Sequence, residues 1–216
     1  MKIMNKESKR NKALCFSGHR TEKLPKNKDK FTDLLRDLSI EIDKAISEDY
    51  DTFIFGACYG FDLICAEQVL LRKQIIQYTN PVNIKLIAVV PFEEQAAKWK
   101  EQDRDKYFNI LSKCDDVIIL NKHFKTGCYH ERNRYMVDNS SKLICYYDGS
   151  GGGTGYTVEY AKKRSIEIVN LCTSVTSHFN YADIDRIFDE QAAYRIKIHA
   201  IIRNCQYLGV KGLIRE

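Results

Sequence analysis

A chain of 216 residues, 44% apolar and 29% charged, can bury one full core, so one domain with a short appendage is expected rather than two. No apolar run reaches the roughly 20 residues of a membrane span, and the start Met1-Lys2-Ile3-Met4-Asn5-Lys6 lacks the apolar core of a signal peptide, which points to a cytoplasmic protein without a membrane partner. The formal charge of +5 is concentrated in residues 1–30, where ten Lys and Arg stand against Glu7, Glu22 and Asp29, so the rest of the chain is close to neutral.

Residues 1–12 read as a basic, flexible leader. Short β-rich runs then appear at 13–16, 52–55, 84–90, 117–120, 143–147 and 166–169. Between the first two, Phe31, Leu34, Leu35, Leu38, Ile42, Ala45 and Ile46 recur at helical steps, so one face of a helix can lie on a sheet. Residues 62–77 and 92–111 read as the next helices, the latter opened by Pro91. Strand and helix alternate. That order predicts an α/β fold, a three-layer Rossmann-like sandwich with a mainly parallel sheet of about six strands over residues 13–172.

After Val169 the pattern changes. Residues 173–182 are polar, and Ile184, Ile187, Phe188, Ile198, Ile201 and Ile202 then trace one stripe of a C-terminal amphipathic helix from about 183 to 207. The extension 173–216 is expected to pack on the domain or on a second copy in a homodimer. Of the eight cysteines none forms a Cys-x-x-Cys pair, and Cys15, Cys65, Cys145 and Cys172 sit inside apolar patterns, as reduced buried thiols do. His130-Glu131 lacks the second His of a zinc motif, so neither a metal nor a cofactor is expected.

Loops that follow parallel strands open on one edge of the sheet, where open α/β folds bind ligands. The first is Ser17-Gly18-His19-Arg20, with a glycine for close backbone approach and a guanidinium suited to phosphate. The second, Gly56-Ala57-Cys58-Tyr59-Gly60-Phe61-Asp62, sets two glycines before a helix amino end, where backbone N–H groups meet anions. Asp62 reads more readily as a helix cap than as a ligand group, and Cys58 as an inert thiol. Pro91 and Phe92 follow the third strand, where Phe92 or Trp99 either stacks on a base or packs on the sheet.

The third loop region joins His130-Glu131-Arg132-Asn133-Arg134-Tyr135-Met136 to Gly151-Gly152-Gly153-Thr154-Gly155-Tyr156-Thr157-Val158-Glu159, with Asp148 just before the glycines. Arg132 and Glu159 either grip a nucleoside phosphate from its two ends or form a structural salt bridge.

His130-Glu131-Arg132 followed by Gly152-Gly153-x-Gly155-x-x-x-Glu159 resembles the H-E-R-K … P-G-G-x-G-T-x-x-E signature of LOG-type phosphoribohydrolases. Asn133 replaces Lys, Gly151 replaces Pro and Tyr156 replaces Thr, and the two halves are further apart. With Cys15-Phe16-Ser17-Gly18-His19-Arg20-Thr21-Glu22-Lys23-Leu24-Pro25, Gly60-Phe61-Asp62 and Pro91-Phe92-Glu93-Glu94-Gln95, the set is similar to the YpsA-like, DUF-type branch of the SLOG superfamily, found in bacteria and their phages.

The resemblance implies a Rossmann-like domain that binds a nucleotide or an ADP-ribose-like derivative, as a sensor or sequestering protein. The ligand would sit among Gly18, His19, Arg20, Gly56, Gly60, Asp62, Pro91, Phe92, Arg132, Asn133, Asp148, Gly152, Gly153 and Thr154. A phosphoribohydrolase using Arg132 and Glu159 is the alternative, and single-stranded nucleic-acid binding through the basic leader is the third reading.

Overall fold

The computed structural model describes residues 12–77 and 83–172. The leader up to residue 11 and the extension 173–216 with its amphipathic stripe lie outside the described residues. Six strands form one sheet: β1 (Ala13–Gly18), β2 (Thr52–Phe55), β3 (Lys85–Val90), β4 (Asp116–Ile119), β5 (Lys142–Tyr146) and β6 (Glu167–Asn170). All pair in parallel, in the order β4-β3-β2-β1-β5-β6. The expected three-layer Rossmann-like sandwich is therefore the fold.

Among the described residues, five α-helices cover the sheet: α1 (Lys28–Ser47), α2 (Phe61–Gln77), α3 (Glu101–Leu111), α4 (Cys128–Asp138) and α5 (Gly153–Lys163). Helix α1 starts where the Asn27 side chain accepts hydrogen bonds from the amides of Asp29 and Lys30, at 2.9 and 3.1 Å, which satisfies donors that have no partner within the helix. Its buried residues Leu34, Leu38, Ile42 and Ala45 fall at three- and four-residue steps, as the sequence spacing requires.

Successive strand residues point to opposite faces, so each strand feeds two cores. Leu14, Phe16, Phe53, Phe55, Leu86, Ala88 and Ile144 pack with α1, α2 and α3. Cys15, Ile54, Val89, Leu143 and Cys145 pack with Met136 and Val137 of α4 and with Val158 and Ala161 of α5. Burial pushes the Cys15 and Cys145 thiols up to about 12, so they act as small apolar groups.

One expected helix is shorter than its sequence pattern. Residues 91–99 form successive turns, with bonds such as Gln95 N–H to the Phe92 carbonyl and Trp99 N–H to the Ala96 carbonyl, and the helix begins only at Glu101. The cause is tertiary. Phe92, Gln95 and Ala96 are buried, and the Gln95 side chain donates to the Ala57 carbonyl at 2.9 Å, which ties this segment to the loop after β2.

At the opposite edge of the sheet, Lys142 is almost fully buried at the start of β5. Its Nζ reaches Glu48 at 2.8 Å and Glu167 at 3.2 Å and lies 5.1 Å from the Tyr50 ring centre. Both carboxylates are about half exposed and return to water if the lysine is removed, so Lys142→Met is expected to cost only about 1 kcal/mol in urea unfolding. A loss of several kcal/mol would mean that the carboxylates depend on the lysine far more than their exposure implies.

Candidate functional site

The strand order reverses between β1 and β5, because the chain runs outward from β1 to β4 and then returns to lay β5 on the other side of β1. At such a switch point the loops from neighbouring strands diverge and leave a crevice beyond the strand ends. Gly18 pairs with Tyr146, so β1 and β5 end together at this crevice. It opens into a cleft of about 490 Å³ lined by Ser17, Gly18, His19, Arg20, Glu22, Lys23, Cys58, Asp62, Tyr129, His130, Arg132, Asn133, Gly153 and Thr154.

Two glycines allow the loops to meet. Gly60 has φ +97°, and a Cβ there would fall 2.6–2.7 Å from the backbone of His19, Arg20 and Thr21, where the Phe61 amide donates to the His19 carbonyl at 3.0 Å. At Gly56 a Cβ would overlap the Arg132 guanidinium. Gly56 and Gly60 do not themselves line the cleft; they make room for the groups that do.

The centre of the site is a buried ion pair. Arg132, in the first turns of α4, donates through Nη1 to the Gly56 carbonyl and lies 3.7 Å from Asp62 Oδ2. Both side chains are more than nine-tenths buried, at 9% and 7% exposure. The Arg132 Nε is buried without a hydrogen-bond partner among the described residues.

Asp62 is not the helix cap that its sequence position suggests. It is the second residue of α2, and its carboxylate turns back under the β2 loop, 3.5 Å from the Cys58 amide. Burial pushes its carboxyl up to about 6, against the opposing pull of Arg132 and of the Cys58, Gly18 and Gly56 amides. The same environment raises the Cys58 thiol, first through burial and then through Asp62, which disfavours a thiolate nucleophile.

His19 is buried, and its Nε2 lies 2.7 Å from Asp148 Oδ1. Hydrogen bonds from Ser150, and then His19, hold the Asp148 carboxyl well below the usual carboxylate range. Lys23 Nζ donates to Ser150 Oγ at 2.7 Å, so the turn after β1 is tied to the glycine loop after β5. Asn133, buried in α4, donates to the Gly153 carbonyl at 3.2 Å and fixes the start of α5. Arg20 is exposed and lies over the Tyr59 ring, with its Cζ 5.0 Å from the centroid.

Several expected site residues stand elsewhere. Phe92 packs edge-on against Phe124 and Tyr129, at 5.5 and 5.8 Å between ring centres, and the Pro91 carbonyl accepts from Asn121. Trp99 packs on Tyr59 and Tyr107. Asp148 and Gly152 lie beside the cleft without lining it. Glu159 is exposed and bound to Lys162 at 2.7 Å, because the buried face of α5 runs through Thr154, Thr157, Val158 and Ala161. The two-ended grip by Arg132 and Glu159 therefore does not form.

Tyr129 and His130 line the cleft although the sequence reading did not select them. His130 carried a signal as the first residue of the His130-Glu131-Arg132 motif, whereas Tyr129 had only its place at the start of the helix that carries Arg132. Glu22 and Lys23 were likewise legible only as neighbours of Arg20.

The fold and cleft define a Rossmann-like protein with a cleft at the switch point of its sheet. The YspA SLOG family, represented by YpsA, matches residues 14–177, and the chain belongs to this family. A UPF0398 protein of Bacillus cereus (strain B4264) is 30% identical over 150 residues, which are 68% of this chain and 76% of that protein. A UPF0398 protein of Brevibacillus brevis is 26% identical over 83% of this chain and 94% of its own length. The uncharacterized SPbeta prophage-derived protein YoqJ of Bacillus subtilis is 30% identical over 51% of this chain and 69% of that protein.

Among solved structures, DNA processing protein A from Streptococcus pneumoniae aligns with a TM-score of 0.49 at 14% identity, covering 73% of this chain and 49% of that one. The Helicobacter pylori protein of the same name, solved for its single-stranded DNA binding mode, also aligns with a TM-score of 0.49, at 13% identity, over 85% of this chain and 82% of that one.

Proposed function

We propose that the protein binds a nucleotide or a nucleotide-derived small molecule of the ADP-ribose kind in the switch-point cleft, as a sensor or sequestering protein. Arg132 carries this reading. A guanidinium is expensive to bury, and this one is held at the cleft wall with part of its donor capacity unused by the described residues. The amino end of α2 and the exposed cations Arg20 and Lys23 favour a negatively charged ligand in the same place. Cleavage of an N-glycosidic bond needs a carboxylate beside the ribose, and Glu159 lends that reading no support.

The test is calorimetric titration of the full chain with ADP-ribose, AMP and ribose 5-phosphate, with native mass spectrometry for a co-purified ligand. Heat with at least one of the three is expected. No heat and no co-purified mass overturns the reading. An oligonucleotide that competes with the small molecules, with affinity falling steeply in salt, would transfer the site to single-stranded nucleic acid.

A further inference from the structure

Along α4, His130, Arg134 and Asp138 follow one another at four-residue steps and so share one face of the helix. Along α5, Tyr156 and Tyr160 do the same. The two rows meet. The His130 imidazole lies on the Tyr156 ring at 4.0 Å between centres and 10° between planes, and Tyr160 continues the array at 6.4 Å and 4°. Arg134 donates to the Tyr156 hydroxyl at 2.8 Å, and the Tyr160 hydroxyl lies 3.1 Å from both carboxylate oxygens of Asp138. Three planar rings thus lie nearly parallel, Tyr156 and Tyr160 held by polar contacts at their hydroxyls, and His130, the exposed end of the array, lines the cleft that holds Arg132.

We propose that His130, backed by Tyr156, is the platform on which the planar heterocycle of the bound nucleotide stacks. This inference rests on the nucleotide reading above and adds the class of moiety recognised beyond the phosphate. A base laid on His130 extends an array that Tyr156 already backs on its other face, so less side-chain freedom is lost on binding than for an unbacked ring. Arg132 is two residues further along the same helix, so the platform and the anion site share one rigid element. Stacking on a ring tolerates different bases because every base presents a π face.

The test compares AMP and ribose 5-phosphate binding to the wild-type chain, His130→Ala and His130→Phe. His130 is exposed, so neither substitution threatens the fold. His130→Ala is expected to weaken AMP about tenfold, within the range that base–aromatic stacking supplies, and to leave ribose 5-phosphate unchanged, while His130→Phe restores AMP. AMP binding that is undiminished in His130→Ala overturns the platform and leaves the anion site standing, and a loss seen only in Tyr129→Ala assigns the base to that ring instead. If the wild-type chain binds neither compound, the nucleotide reading falls and the platform falls with it.

Discussion

Arg132→Met is expected to abolish measurable binding of an anionic ligand and to lower the unfolding free energy by about 3 kcal/mol. The stability loss has two sources. The Gly56 carbonyl loses its guanidinium donor, and Asp62 loses the only cation placed against it in the described ion pairs. Breaking a buried pair from one side costs about 3–5 kcal/mol, and the lower end applies because the Asp62 carboxyl can take up a proton instead of remaining an isolated charge. Methionine fills most of the volume, so packing contributes little to the difference.

The double variant Arg132→Met, Asp62→Asn separates charge from packing. With both charges gone the site is neutral and filled, and stability should return to the wild-type value or exceed it in urea unfolding while binding stays lost. If the double variant is as unstable as Arg132→Met alone, the guanidinium acts through its hydrogen bond to Gly56 rather than by pairing Asp62.

Much of this arrangement was legible in the sequence. Buried parallel strands need short apolar runs, here four to seven residues, and all six runs became strands because both faces of the sheet are covered. The loops at Gly18, Cys58–Asp62 and Arg132–Thr154 meet at the cleft because every parallel strand ends on the same edge. Glu159 shows what a motif leaves out. Thr154, Thr157, Val158 and Ala161 already mark the inward face of α5 at helical spacing, and position 159 falls outside it. The contacts that the sequence could not supply depend on distant partners: the Gln95 side chain reaches the Ala57 carbonyl, and His130 stacks on Tyr156 of another helix.

Asp62→Asn is expected to flatten the dependence of stability on pH, gaining on the wild type as pH rises through about 6. The sign follows from the direction of the shift. Burial raises the folded-state carboxyl from 3.8 to about 6, so between these values the unfolded chain releases a proton that the folded chain retains. Stability is therefore greatest below the unfolded value, declines as pH rises through this window, and above about pH 6 carries the full cost of an ionised Asp62. The asparagine variant has no such proton, so its unfolding free energy should rise relative to that of the wild type between pH 4 and pH 7. The retained carboxylate is then a cost that the fold bears for the site. Ionised, Asp62 offsets the charge of Arg132, and protonated, it leaves that charge free for a ligand. ADP-ribose suits the measurement because its diphosphate diester has no group that titrates near neutrality. Its affinity for the wild type should rise as pH falls through about 6, and the rise should be smaller for Asp62→Asn. Parallel pH profiles for the two proteins would show that Asp62 does not control the charge presented by Arg132.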